Sequence, residues 1–533
     1  MTGTTDEAGA IAAWRDALGE AQVRNDAAAL ADAAQNVTGL TRRVIAVLTP
    51  ATTAEVARAV AVAARHAVPL WTYSTGRNWG MGSRLPVRDG AALLDLSRMN
   101  RIHAVDLVAG TATVDAGVTQ GQLAAHLAAA KSPLFVNVTG SSPATSLIAN
   151  MLDRGTGFHR ARVGQLSDLE VVLGDGRVIR TGYARLPGTR LAGAWRPGLG
   201  PELDGLFAQS GFGVVTRGTV ELMFRSPAHA ILSCAIAKRN DVSRFIEAMA
   251  NLSRKGVLHA ALHFSSRARS TSVVGPLVYR YLVAAGDAAG AETAARARAL
   301  AERAVSGTWS ASCDLSGTKL QVQEAFRQAR RCLRGVGTAS LVTASTFAAL
   351  SGGPARASLK ARSSRALLAA AQAQWEHACG TPSDAALHSV PWCLPGPFAD
   401  EVDLDRGRAG TFFVVPAIPL SGPAVCEANA IVDRVSAAAG FVPYTTWNQV
   451  SRGALEGVIN VVFEAGDAAQ AARARRWARD LAEALAAAGF PPYRLGIQDM
   501  DLARGDEATG QVVAALGRVL DPAGILSPGR YET

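Results

Sequence analysis

The stretch WTYSTGRNWGMG at 71–82 joins a short apolar run to a turn with glycine at positions 76, 80 and 82. Glycine reaches backbone angles closed to other residues and lets the main chain approach a ligand closely. Successive N–H groups in such a turn can form an anion-binding nest, and Arg77 adds a permanent positive charge. A second stretch, FVNVTGSSPATSLIANMLDRGTGFH, sets Thr139, Ser141 and Ser142 around Gly140, ahead of a helix expected to begin near Ala144. A helix N-terminus bordered by glycine and hydroxyl side chains suits a diphosphate. Taken singly, each stretch is explained as well by an ordinary turn or a capped helix.

The elements that must carry these loops are legible from periodicity. Residues 8–34 read as a helix with one apolar face, 44–50 as a strand, and ATTAEVARAVAVAARHAV as a second helix capped by threonine. AALLDLS is a buried strand, IHAVDLVAGTATVDAG a hairpin, and Gln120 to Ala130 a helix. LEVVLGDGRVIRTG is a hairpin turning on Gly174-Asp175-Gly176, and GVVTRGTVELMF closes this mixed region near residue 226. Beyond it, helices at roughly 287–304 and 361–378 alternate with strands such as TFFVVPAIPL and GVINVVFEA, which suggests a second α+β unit with an antiparallel sheet. The segments 353–358 and 380–385 read as loops.

Composition narrows the class. At 533 residues the chain exceeds one ordinary core, and 18% charged residues fit a folded protein. The net charge of +10 comes from dispersed arginines rather than a basic block, so nucleic acid is not an expected partner. The six cysteines form neither a CxxC pair nor a cluster with histidine, which argues against zinc and against a disulfide framework. There is no run of about 18 apolar residues and no signal-type N-terminus, so the expectation is a cytoplasmic protein without a membrane partner. GxGxxG at a strand–helix junction, the P-loop, HExxH and GxSxG are all absent, which excludes the common nicotinamide, nucleotide, zinc-hydrolase and serine-hydrolase signatures.

In order, STGRNWGMG, VTGSSPATSLIANMLDRGTG, LEVVLGDGRVIRTG and LFAQSGFGVVTRGTVEL resemble the FAD-binding domain of the vanillyl-alcohol oxidase and p-cresol methylhydroxylase family. The closing LDPAGILSPGRY is similar to that family's terminal motif, and the match is strongest over about 40–226 and the last 75 or so residues. The resemblance implies an α+β fold: a two-part FAD-binding domain over 1–226, a cap or substrate domain over 227–489, and a segment 490–533 returning to the first. It places Ser74, Thr75, Gly76, Arg77, Asn78, Gly80, Met81 and Gly82 at the cofactor. Thr139, Gly140, Ser141, Ser142, Asn150 and Gly155 would line the flavin and its ribityl chain, with Val215 and Arg530 beside them.

The same resemblance implies that the pair in PPYR, Tyr493 and Arg494, holds a phenolic substrate as its phenolate. A guanidinium favours the anion, and the anion releases hydride from the para-benzylic carbon more readily. Three departures are visible. Met81 stands where phenol oxidisers of the family carry a tyrosine. Ser141 or Ser142 stands where the oxidase has an acid near flavin N5. AGTFFVVP lacks the His or Tyr that tethers flavin in several relatives, so FAD is expected to be non-covalent. His263, His388, Tyr444, Trp447 and Asn448 are further polar candidates in the cap. Asp153 and Arg154 read as loop-shaping residues, and the role of His159 is open.

The expected function is an FAD-dependent oxidoreductase acting on a small aromatic, phenolic or alcohol substrate, in a setting such as secondary metabolism, with oxygen or a redox protein as electron acceptor. Two alternatives stay open: oxidation of a 2-hydroxy acid with Arg494 as carboxylate clamp, and a flavin-binding protein with a non-redox role. A homodimer is suggested by the habits of the family alone.

Overall fold

The computed structural model describes residues 5–532 apart from 237, 352–361, 397 and 399–402. The expected loop at 353–358 lies outside the described residues, whereas 380–385 is free of helix and strand, as its composition implies.

The N-terminal part holds two sheets. The first contains β1 (Val23–Arg24), β2 (Val44–Leu48), β3 (Leu70–Tyr73) and β4 (Ala91–Asp95) in the order β1-β2-β4-β3, with β2 and β3 both parallel to β4. Its strands are buried nearly throughout, the pattern of a parallel sheet covered by helices. The helix Thr53–His66 supplies part of that cover; Thr52 caps it, and the left-handed Ala67 ends it. β3 would be an open edge, but Leu70 bridges Leu526 in parallel, so a segment more than 450 residues later closes the sheet. The second sheet contains β5 (Ile102–Asp106), β6 (Thr111–Asp115), β8 (Leu166–Val172), β9 (Val178–Arg180) and β10 (Val214–Glu221), in the antiparallel order β5-β6-β10-β8-β9. Between them in sequence, β7 (Leu134–Phe135) pairs with β11 (Met223–Phe224).

The middle of the chain builds one eight-stranded sheet. Its strands are β12 (Ala228–Ile236), β13 (His263–Ser266), β14 (Trp309–Gly317), β15 (Thr338–Val342), β16 (Ala409–Pro419), β17 (Tyr444–Gln449), β18 (Ala454–Glu464) and β19 (Pro492–Arg494). The order is β15-β12-β14-β13-β17-β18-β16-β19, and every pairing is antiparallel. The helices Val242–Arg254, Lys319–Cys332, Gly422–Ala439 and Ala468–Ala487 pack on it and share its apolar core. That core runs without a break into Leu40, Trp71, Leu85 and Leu93 of the N-terminal part. The sheet and the loops after β3 are therefore held against each other by apolar burial.

Two expectations need correction. Residues 8–34 form two helices, Glu7–Leu18 and Ala27–Ala34, because Gly19 adopts φ +96° and Asp26 caps a new start. The chain between them supplies β1. The helix expected near Ala144 begins at Leu147, because the Ser146 hydroxyl accepts the Ala149 N–H and so fixes the N-cap there. All six cysteines are free thiols. No helix among the described residues is long and apolar enough to cross a membrane.

Candidate active site

The turn after β3 is stitched to distant segments through its own backbone. Phe413 N–H, from β16, donates to the Gly80 carbonyl at 3.2 Å, and Ile497 N–H donates to the Met81 carbonyl at 3.2 Å. Gly80 (φ +74°) and Gly82 (φ +109°) do not line the cleft described below. A Cβ on Gly80 would lie 2.1 Å from Phe413 Cδ2, and one on Gly82 would lie 2.6 Å from Ile497 Cγ1. At these two positions glycine permits the turn to meet the cap strand and the segment after β19.

The second loop is shaped by Gln120, a fully buried side chain on the helix Gln120–Ala129. Its amide donates to the carbonyls of Thr139, Ser141 and Ser142 at 3.3, 3.3 and 2.9 Å and accepts from Thr139 N–H at 3.1 Å. The two loops touch where Ser146 N–H donates to Thr75 Oγ1 at 3.2 Å. Thr145 Oγ1 donates to Ser141 Oγ at 2.8 Å, and the Ser142 hydroxyl turns back to accept from Ala144 N–H.

Between these loops and the C-terminal segment lies an open cleft of about 1150 Å³, walled by Ser74 to Asn78, Met81, Asn150, Asp153, Val215, Arg494 and Arg530, among others. Asp153 organises its charge. The carboxylate pairs with Arg494 Nη2 and, at 3.0 Å, with Arg530 Nη2. Arg494 Nη2 also donates to Asn78 Oδ1 at 3.0 Å, and Arg530 lies over the Trp71 ring at 5.5 Å. Asn150 is oriented by Arg162, whose Nη1 donates to its Oδ1 at 2.7 Å. Burial pushes that guanidinium down to about 9. Arg154, in the left-handed region at φ +54°, shapes the turn and is not in the wall.

A second cleft of about 1330 Å³ shares Arg77, Asn78, Met81, Asn150 and Arg494 with the first and opens toward the cap. Thr139, Gly140, Ser141 and Gly155 face it from one side. His263, Arg269, His377, Phe413, Thr446, Asn448 and Glu456 face it from the other. His263 Nε2 meets the Phe158 carbonyl at 2.7 Å, and its Nδ1 meets Asn448 Oδ1 at 2.8 Å. Asn448 Nδ2 donates to Glu456 Oε1 at 3.2 Å. Burial pushes the His263 imidazolium down and the Glu456 carboxyl up, the latter held back by Asn448 and by the charge of Arg494. His377 is pushed down to about 4 by burial and the neighbouring histidines.

The remaining candidates fall as follows. Tyr493 is on β19 beside Arg494 but outside the walls of both clefts; burial pushes its hydroxyl up to about 12, with Glu456 adding to the rise and Arg494 opposing it. Trp447 is fully buried and donates to Asn429 Oδ1 at 3.0 Å, a core contact. His388 is buried against Arg280, Tyr444 lies beside Cys393, and His159 sits between Asp314 and the Ala378 carbonyl. None of these three lines either cleft. Sequence reasoning missed Gln120, Arg269, His377 and Glu456. Only Glu456 left a usable signal, a lone acid in the apolar run LEGVINVVF.

The arrangement suits a flavin dinucleotide. The first cleft carries an arginine-rich wall at a glycine turn, and Arg77 Nε, Trp79 Nε1 and Arg494 Nε are buried donors with no partner among the described residues. The comparisons with known proteins agree. A family model described as an FAD binding domain matches residues 44–182. The chain is 34% identical over 535 residues to the 1'-carboxy-chondrochloren decarboxylase of Chondromyces crocatus, covering 98% of this chain and 97% of that protein. It is 24% identical over 491 residues to the 4-cresol dehydrogenase (hydroxylating) flavoprotein subunit of Pseudomonas putida, covering 91% and 87%. The solved 4-ethylphenol oxidase of Gulosibacter chungangensis, in its isoeugenol complex, superposes with a TM-score of 0.83 at 24% identity, covering 98% and 96%.

Proposed function

The chain belongs to the vanillyl-alcohol oxidase and p-cresol methylhydroxylase family of FAD-dependent oxidoreductases, and from that premise we propose that it removes a hydride from a small aromatic substrate seated in the cap-side cleft. The observation that carries this reading is the position of Arg494, which walls both clefts at their junction and feels the charge of the buried Glu456.

FAD, when bound, supplies a two-electron acceptor. Ser74, Thr75, Gly76, Arg77, Asn78 and Arg530 would hold its diphosphate, and Thr139 to Ser141, Asn150, Gly155 and Val215 would hold the flavin and ribityl chain, whereas Ser142, turned back to Ala144, lines neither cleft. Non-covalent attachment is proposed because β16 carries neither His nor Tyr. Arg494, anchored by Asp153 and Asn78, stabilises a substrate oxyanion, and Tyr493, outside both cleft walls, takes no part in holding it. Glu456 Oε1 exchanges the substrate's proton, within reach of Asn448 and His263. Phe158 and Phe413 supply the aromatic side of the cleft. The bound flavin would be reoxidised by oxygen or by a redox protein.

A second reading follows from the relative at 34% identity, which is by name a decarboxylase: the substrate bears a carboxyl group. The test is to record the visible spectrum of the purified protein before and after acid precipitation, then add phenols, carboxylated phenols or 2-hydroxy acids without oxygen. Released yellow colour and bleaching by phenols support the proposal. Bleaching by 2-hydroxy acids alone would replace it, and a bound flavin that no compound bleaches would refute it.

A further inference from the structure

Beyond the second cleft, a third cavity of about 1440 Å³ penetrates the cap and shares Gly140, Phe158, His263, Arg269, His377 and Thr446 with it. Its walls are unusually hydroxylic, with Ser265, Ser270, Ser310 and Ser383 among them, and they contain no aspartate or glutamate among the described residues. Arg269 is the one formally charged side chain in that lining.

Arg269 is enclosed by protein, yet it keeps accessible surface, and both cavities border it. Among the described residues its guanidinium makes a single side-chain hydrogen bond, from Nη1 to Ser389 Oγ at 2.8 Å. That hydroxyl is itself fixed, since it donates to the Ala386 carbonyl at 2.6 Å. Arg269 also sits in the first turn of the helix Arg267–Ala284, where the macrodipole favours an anion. Its charge is opposed by burial and met only by Cys393 and Tyr444. A buried guanidinium without a carboxylate partner is costly unless a ligand supplies the countercharge. A second observation points the same way: Ser383 Oγ is buried in this cavity wall without a partner. Arg494, by contrast, has a fixed carboxylate partner in Asp153, whereas Arg269 has none among the described residues.

We infer that Arg269 binds the carboxylate of a carboxylated aromatic substrate, whose ring lies in the cleft toward Arg494. The inference rests on the proposed function, since it assigns a carboxyl group to the same substrate. It moves the carboxylate clamp from Arg494 to the cap, and Ser383 is a hydroxyl donor for the same group.

The test uses the flavin-loaded enzyme and isothermal titration calorimetry with 3-(4-hydroxyphenyl)propionate and its primary amide, with flavin absorbance followed in parallel. The wild type should bind the acid about ten- to a hundredfold more tightly than the amide, the range of a charged hydrogen-bonded pair. Arg269→Met should abolish that preference while leaving amide binding and flavin content unchanged, and Arg269→Lys should restore part of it. Equal binding of acid and amide by the wild type would overturn the inference, and needs no variant to fold. So would a preference that survives Arg269→Met, or a loss of acid and amide binding alike. If neither probe perturbs the flavin spectrum, the proposed function fails first and this inference falls with it.

Discussion

The carboxylate of Asp153 is ion-paired with Arg494, which follows it by 341 residues, and the pair ties the second loop to the last strand of the cap sheet. The same carboxylate receives Arg530, so one acid gathers the two C-terminal cations of the first cleft.

Asp153→Asn removes that shared charge and leaves Arg494 buried without it. Breaking a buried pair on one side is expected to cost about 3 kcal/mol. Thermal unfolding should show the loss with and without added FAD, and the variant should retain less flavin through purification.

Gly80→Ala would put a methyl group against the Phe413 ring at a backbone angle that favours glycine. Overpacking and left-handed strain together predict a loss of about 3 kcal/mol. The check is the chemical-denaturation midpoint compared with Gly453→Ala, where a Cβ meets nothing within 4 Å.

Asp499 gives a pH-dependent test. Burial pushes its carboxyl up to about 6, against opposing pulls from Gln498 and Arg479. A carboxyl raised in the folded state favours folding fully below its unfolded value near ~4, and that contribution is lost as pH rises through about 6. Asp499→Asn should therefore match the wild type at pH ~4 and exceed it at pH ~8 by about 3 kcal/mol. Melting temperatures across that range decide the matter.

Glu456→Gln keeps the shape of the cleft and removes its buried carboxyl. Anaerobic stopped-flow should show flavin reduction slowed about a hundredfold with substrate binding unchanged. The wild-type rate should also show an inflection above the ordinary glutamate range that the variant lacks.

Local chemistry was legible where the partner is local. The glycine turn, the hydroxyl loop, the 166–180 hairpin and the long strands β16 and β18 all follow from neighbouring residue types. Gly19 carried the signal for the break between the first two helices, but the apolar periodicity on either side masked it. Gln120 reads as one polar residue on a helix, and only the fold shows its amide holding three carbonyls of the second loop. Arg269 gives no sequence signal, because its meaning depends on a cavity wall assembled from five separate stretches of the cap. Tyr493 and Arg494 are adjacent in sequence, yet alternation along β19 gives them different surroundings.

The bridge between Leu70 and Leu526 has a consequence for biosynthesis. Leu70 N–H donates to the Ile525 carbonyl, and Ser527 N–H donates to the Leu70 carbonyl, each at 2.7 Å. On the ribosome, β2, β3 and β4 emerge early, but the edge of β3 stays open until residues 525–527 are released. Arg530 reaches the first cleft later still. The nascent chain therefore carries an unpaired parallel edge until residues 525–527 have left the ribosome. The cleft is finished only after these late residues are released, and a chaperone that shields the β3 edge should raise the yield of flavin-loaded protein.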